Sequence, residues 1–295
     1  MTGLRVYGAA GKATTRIMVD AITGSVGDGL LTDAVVLLSL DDDGRRALAA
    51  LSENSRIVAN ADAVSASELP ASAVTFGLGE TAALCASDLD ATIDGTSFTL
   101  ATDGRRRRVQ LKVLGEHQVT NALAALAVAQ AFGIPLDGAI SALEGLNTLG
   151  RGRMEKLLAP NETIVINDAI SASPQSAAAA LKALAQISAG RRSVAVLGEL
   201  SHGAEDGQAA HDRIGRLIVR LNVKQLIVVG QAARHIHNAA GLEGSWDGES
   251  VLVDTPSQAY DLLRDELRKQ DVVLVKGARG AGLDTLADRL AGVVR

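Results

Sequence analysis

The chain has 295 residues, of which 47% are hydrophobic and only 2% aromatic, so it can fill two ordinary domains with cores of Ala, Val, Leu and Ile. Its net charge of −5 gives no general attraction to nucleic acid or anionic membranes, and its single cysteine, Cys85, excludes an internal disulfide and a thiolate metal cage. The N-terminus has no signal-peptide pattern and no apolar run reaches the ~18 residues of a membrane span, so a cytoplasmic α/β protein is expected.

In chain order, "LRVYG" predicts a short strand and "ATTRIMVDAIT" a helix behind it. "DAVVLLSL" predicts a second strand, "DDGRRALAALS" a second helix, and "SRIVAN" and "AVTFG" two further strands. "DLDATIDGTSFTLATDGRRRRVQLKV" carries two Asp-Gly turn signals between alternating runs, which predicts an antiparallel meander. "EHQVTNALAALAVAQAFG" is a long alanine-rich helix closed by Gly133, and Pro135 opens another. From Thr163 on, the continuous apolar runs "TIVIND", "SVAVLG", "QLIVVG" and "VVLVKG" alternate with helices. That pattern predicts a second, doubly wound α/β unit with a mostly parallel sheet. The Gly- and Arg-bearing link around Leu146–Glu162 suggests domains at 1–154 and 155–295.

The first chemical signal is "VYGAAGKATT", Val6 to Thr15. A glycine turn running into a helix leaves free backbone N–H groups aimed at one spot, where the helix dipole and a lysine add positive charge. Gly8, Ala10 and Gly11 shape the turn, Lys12 reaches the outer phosphates, and Ala13 and Thr14 open the helix. The Gly-x-x-Gly-Lys spacing is shorter than the usual phosphate loop, and Ala13 stands where a magnesium-binding hydroxyl is common. Thr14, one position later, is the candidate metal ligand. The bland alternative is a turn with an incidental lysine. "GRRRR", Arg105–Arg108, has no interleaved aromatics and falls on a predicted hairpin, so a solvated edge strand is expected rather than a nucleic-acid surface.

"GEHQVTN", "GRGRM", "INDAISASP", "VLGEL" and "VLVKGARG" are weak singly, but their order and spacing, together with the opening loop, closely resemble the Mur ligase family, in particular its D-alanyl-D-alanine-adding branch. The resemblance is strong from about Val74 to Arg295. It implies a shortened P-loop-type ATP-binding central domain followed by a Rossmann-like C-terminal domain. It also implies an ADP-forming amide ligase, in which ATP turns a carboxylate into an acyl phosphate that an amine attacks, with ATP and Mg2+ as cofactors. Residue by residue, it puts Lys12 on the phosphates and Asn121 at the adenine. Arg153 and Asp168 match positions that hold ribose and phosphates. Ser171 and Ser173 face the reacting centre, and Lys276 and Arg279 lie near a substrate carboxylate. His211 matches a structural helix position. Lys12, Ser171 and Lys276 are thus the expected catalytic set. Asn121 also has a reading as a helix residue capped by a loop, although a polar amide in an alanine-rich helix asks for a partner; Asp168 has one as a cap of the next helix, and Lys276 as a solvated charge.

The resemblance leaves out the family's uridine-binding N-terminal domain and part of its central domain. There is no lysine between Lys12 and Lys112 and no histidine before His117, so nothing matches the family's metal-holding histidine or its carbamylated lysine. Asp33, Asp41, Asp42, Asp43 and Glu199 are the carboxylates at hand. The expected substrates are a small carboxylate and an amine rather than the UDP-muramoyl peptide, unless a partner chain supplies the missing domain; a homo-oligomer is a further expectation. The competing expectation is a catalytically reduced nucleotide-binding or scaffold protein.

Overall fold

The structure, a computed structural model, describes residues 4–8, 10–24, 33–52, 55–201 and 206–293. It divides into two compact units, Met1–Leu149 and Gly150–Arg295, beside the expected division at 154/155.

The first unit runs β1 (Leu4–Tyr7), α1 (Lys12–Thr23), β2 (Ala34–Leu37), α2 (Asp42–Ala49), β3 (Arg56–Asn60) and β4 (Val74–Gly77), then β5 (Leu84–Thr92), β6 (Gly95–Thr102), β7 (Arg105–Leu111), α3 (His117–Ala131) and α4 (Leu136–Gly145). Its seven strands lie in chain order, β1 to β5 parallel and β5-β6-β7 an antiparallel meander. The predicted hairpins turn at Asp94-Gly95 and Asp103-Gly104, and β1 and β7 are the edges. The alanine-rich α3 packs against β2 to β6 and against both α1 and α4, and its residues from Asn121 to Ala129 are all buried. Alanine serves it twice, as the best helix former and as a side chain small enough for neighbours on every side. Phe76 and Phe98 are the largest side chains of this aromatic-poor core. The opposite face, with Val35, Leu37 and Ala59, packs against Leu48 of α2.

The second unit runs β8 (Glu155–Leu158), β9 (Ile164–Asp168), α5 (Pro174–Ser188), β10 (Ser193–Leu197), α6 (Gly207–Arg220) and β11 (Gln225–Val229), then α7 (Arg234–Gly241), β12 (Glu249–Val253), α8 (Pro256–Leu263), β13 (Val272–Lys276) and α9 (Leu283–Leu290). The sheet order is β12-β11-β10-β13-β9-β8, parallel except for β8 against β9. The four apolar runs are the four inner strands, and β10, β11 and β13 are buried at every residue. β8 and β12 were not predicted. Both are edges, β8 alternating between half-buried and exposed and β12 nowhere fully buried, so neither carries the continuous apolar signal of its neighbours.

Candidate active site

In the first unit the expected phosphate-loop residues lie at the carboxyl end of β1. Gly11 has φ 83° and Gly8 φ 139°, and a β-carbon at Gly8 would come within 2.8 Å of Leu38 Cβ, so both positions require glycine. Gly11 is the N-cap of α1, with no side-chain cap and no acidic residue in the first turn, so among the described residues α1 itself supplies no anion to its first N–H groups. Lys12 and Ala13 are exposed and Thr14 is half-buried. Ala9 falls outside the described residues. β2 is parallel to β1, so Ser39 to Asp43 leave the sheet at this same end. Two of their carboxylates are already committed: Asp41 caps α2 by accepting from Gly44 N at 2.8 Å, and Asp43 pairs with Arg46, while Asp42 is exposed in the first turn of α2. Asp33 is bound by Arg5 and by Ser52 Oγ.

Asn121 reaches this loop from α3, but from beneath. It is 5% exposed; its Oδ1 accepts from Thr15 Oγ1 at 3.2 Å and its Nδ2 donates to Gln118 Oε1 at 2.9 Å. The helix amide therefore has the partner its alanine-rich setting called for. Thr15, which completes the pair, went unnoticed in the sequence, where a threonine in a helix carries no signal of burial.

In the second unit the loops after β9, β10 and β13 meet at the carboxyl ends of adjacent strands, where such sheets bind ligands. Lys276, the last residue of β13, is 1% exposed. Its Nζ donates to Asp168 Oδ2 at 2.7 Å and to the Ser171 carbonyl at 2.6 Å. An ammonium taken out of water needs such partners, so the solvated-charge reading of Lys276 does not hold. Asp168 Oδ1 accepts from Met154 N at 3.1 Å, which brings the Gly150–Met154 link, and Arg153 with it, to the same loop. Asp168 does not cap α5; Ser173 does, with its Oγ accepting from Ser176 N at 3.2 Å ahead of Pro174. Ser171 and Arg279 are exposed and Arg153 is half-buried. The buried His211 accepts from Leu200 N through Nε2 at 3.2 Å and so fixes the loop after β10, in keeping with a structural position. Asp168, Ser171 and Lys276 are thus brought into direct contact.

The geometry of the two units agrees with comparisons to known proteins. Residues 152–279 match the Mur ligase glutamate ligase domain, and residues 45–129 match the Mur ligase middle domain. The chain belongs to the Mur ligase family. The UDP-N-acetylmuramoyl-tripeptide–D-alanyl-D-alanine ligase of Mycobacterium leprae is 42% identical over 212 residues, 66% of this chain and 41% of that protein. Its namesake in Mycobacterium tuberculosis is 44% identical over 210 residues, 65% of this chain and 41% of that protein. The chain thus matches about two fifths of the length of these curated relatives. Among solved structures, MurF from Acinetobacter baumannii superposes with TM-score 0.80 at 20% identity, covering 99% of this chain and 76% of that one. MurF from Thermotoga maritima, solved in complex with ADP, gives TM-score 0.79 at 18% identity, covering 99% and 79%. These likenesses confirm the α/β fold of a Mur ligase middle domain followed by its C-terminal domain. The two family matches leave Gly8–Thr15 outside them, so the expectation of a phosphate loop there rests on the turn's own geometry.

Among the described residues, no group of three or more His, Cys, Asp or Glu is arranged to hold a metal ion, and no helix is long and apolar enough to cross a membrane. A magnesium ion carried on nucleotide phosphates needs only one or two protein oxygens, because phosphates and water supply the rest. Thr14, half-buried in the first turn of α1, is the hydroxyl expected to meet that smaller demand.

Proposed function

We propose that this Mur ligase chain takes part in an ATP-dependent, ADP-forming amide ligation. The single observation that carries the reading is the left-handed Gly11 turn at the uncapped start of α1, with Lys12 exposed beside it. A carboxylate oxygen attacks the γ-phosphorus, ADP leaves, and an acyl phosphate forms. An amine then attacks the acyl carbon, phosphate leaves, and the nitrogen gives up a proton as the amide is completed. The chain's part in phosphoryl transfer is positioning and charge neutralisation. The loop's N–H groups and Lys12 take up negative charge on the phosphates as it moves toward the leaving oxygen. Thr14 would hold a magnesium ion, which adds further neutralisation when bound. Arg153 and Arg279 offer cations to phosphate or carboxylate groups, and Ser171 lies in the loop that Lys276 and Asp168 hold in shape.

The relatives' names supply the first substrate pair to assay, UDP-N-acetylmuramoyl-tripeptide with D-alanyl-D-alanine. A panel of small carboxylates with amines is the second. ADP release is expected to need both an acid and an amine, and Lys12→Ala is expected to slow it on the order of 10²-fold. ADP release with neither substrate, or none with any pair, rules the ligase out. A second reading, a nucleotide-binding or scaffold protein derived from a Mur ligase, is favoured by one observation: Asn121, Asp168, Ser173 and Lys276 all have side chains engaged inside the fold. On that reading Lys12→Ala changes no reaction.

A further inference from the structure

Arg151, Gly152 and Met154 lie in one short turn, and each is fastened to a different part of the second unit. Arg151 Nη2 donates to Asp288 Oδ2 of α9 at 2.5 Å. Gly152 N donates at 3.1 Å to Glu155 Oε2, which also accepts from the fully buried Asn167. Met154 N donates to Asp168 Oδ1 at 3.1 Å. The turn needs this fastening: Gly152 has φ 69° and Met154 φ 51°, and a residue with a side chain stays in the left-handed region only when its surroundings compel it. Between the two stands Arg153, half-buried, which has no hydrogen bond or ion pair among the described residues. A guanidinium carries five donors in a fixed fork, and one left open while its neighbours are tied down suits an oxyanion. Asp168 keeps Met154 in place only while its own carboxylate is kept in place. Lys276 does that from the end of β13, donating to Asp168 Oδ2 at 2.7 Å and to the Asp168 and Ser171 carbonyls at 3.5 and 2.6 Å.

We infer that Lys276 is a positioning residue for Arg153: through the two oxygens of Asp168 it holds the left-handed Met154, and with it the Gly152–Met154 turn that presents the guanidinium to an oxyanion. The inference rests on reading Arg153 as a cation offered to a phosphate or carboxylate. Its consequence is that Lys276 matters to the ligand only while Arg153 is there.

Isothermal calorimetry on the full chain tests this with two probes, ATP for a phosphate and D-alanyl-D-alanine for a carboxylate. Arg153→Met is expected to weaken the probe that meets it by about tenfold or more, as loss of a charge-assisted hydrogen bond does, and so to tell the two sources apart. Lys276→Met is expected to weaken the same probe by about tenfold. The double variant is expected to lose no more than Arg153→Met alone, because both changes remove one shared interaction. Gly152→Ala puts a β-carbon at a left-handed position 3.3 Å from Ile170 Cβ, which shifts the turn without touching Lys276. It is expected to weaken that probe too, and to add nothing to Arg153→Met; it carries the test if Lys276→Met fails to fold. Losses from Lys276→Met and Arg153→Met that add in full overturn the inference in favour of a direct contact from Lys276. A Lys276→Met chain with a lower melting temperature and intact affinities overturns it in favour of an ordinary buried pair, as does a Gly152→Ala chain that binds like the unaltered one. An Arg153→Met chain that keeps both affinities, or an unaltered chain that takes up neither probe, overturns instead the reading of Arg153 on which the inference rests.

Discussion

Lys276 and Asp168 are held together where water is nearly absent, at side-chain exposures of 1% and 14%. Removing one partner of such a pair leaves the other charge uncompensated, whereas removing both charges costs far less. Lys276→Met is therefore expected to lower the stability of the Gly150–Arg295 unit by about 3 kcal/mol or more. Adding Asp168→Asn is expected to return part of that loss, and urea denaturation of the single and double variants measures both. The sequence located this residue correctly, at the carboxyl end of a parallel strand, and pointed to ligand chemistry there. It did not reveal burial, because burial arises from the loop after β9 folding over the lysine 105 residues away in sequence. Asn121 shows the same limit: its need for a partner was legible, but Thr15, 106 residues earlier, was not.

At the level of elements, α6 and α7 pack closely in the second unit. Gly215 of α6 lies against Ala239 and the backbone of α7, and a β-carbon there would meet Ala239 Cβ at 2.8 Å and Ala240 N at 3.0 Å. Glycine to alanine in a helix usually gains up to about 1 kcal/mol. Here the new methyl meets backbone that cannot yield, so Gly215→Ala is expected to destabilise by about 1–3 kcal/mol in thermal denaturation. The arginine run on β7 was legible as a solvated edge strand. Arg105, Arg106 and Arg108 are exposed, Arg107 is bonded to Asp137 at 2.6 Å, and Arg106 lies 3.7 Å from Asp88. Hydrogen bonds from Thr99 and Ser87, then Arg106 and Arg108, hold the Asp88 carboxyl below its ordinary value. Its contribution is therefore present at neutral pH and is lost as pH falls through the lowered folded value. An NMR titration of Asp88 is expected to report that low midpoint, and Arg106→Ala to raise it. The edge strands β8 and β12 were missed because they lack what made β7 readable. A short edge leaves a pattern only when its charges or turns mark it, and theirs do not.

For the molecule as a whole, two compact units with separate sheets predict two unfolding transitions. Lys276→Met is expected to move one of them and leave the other in place, as differential scanning calorimetry would resolve. The alternation of apolar runs and helices made both α/β units legible, as did the Asp-Gly turns of the meander. What the alternation does not carry is strand order. It is the order of the first sheet, β1 outermost, that puts the glycine turn at a margin. A strand bonded along one side opens by breaking a single ladder, here four residue pairs from Leu4↔Ala34 to Tyr7↔Leu37. Amide protons of Leu4–Gly8 should thus trade for deuterium sooner than those of the enclosed β13. A bound polyphosphate, favouring the closed form, should slow that trade at the margin while β13 keeps its pace.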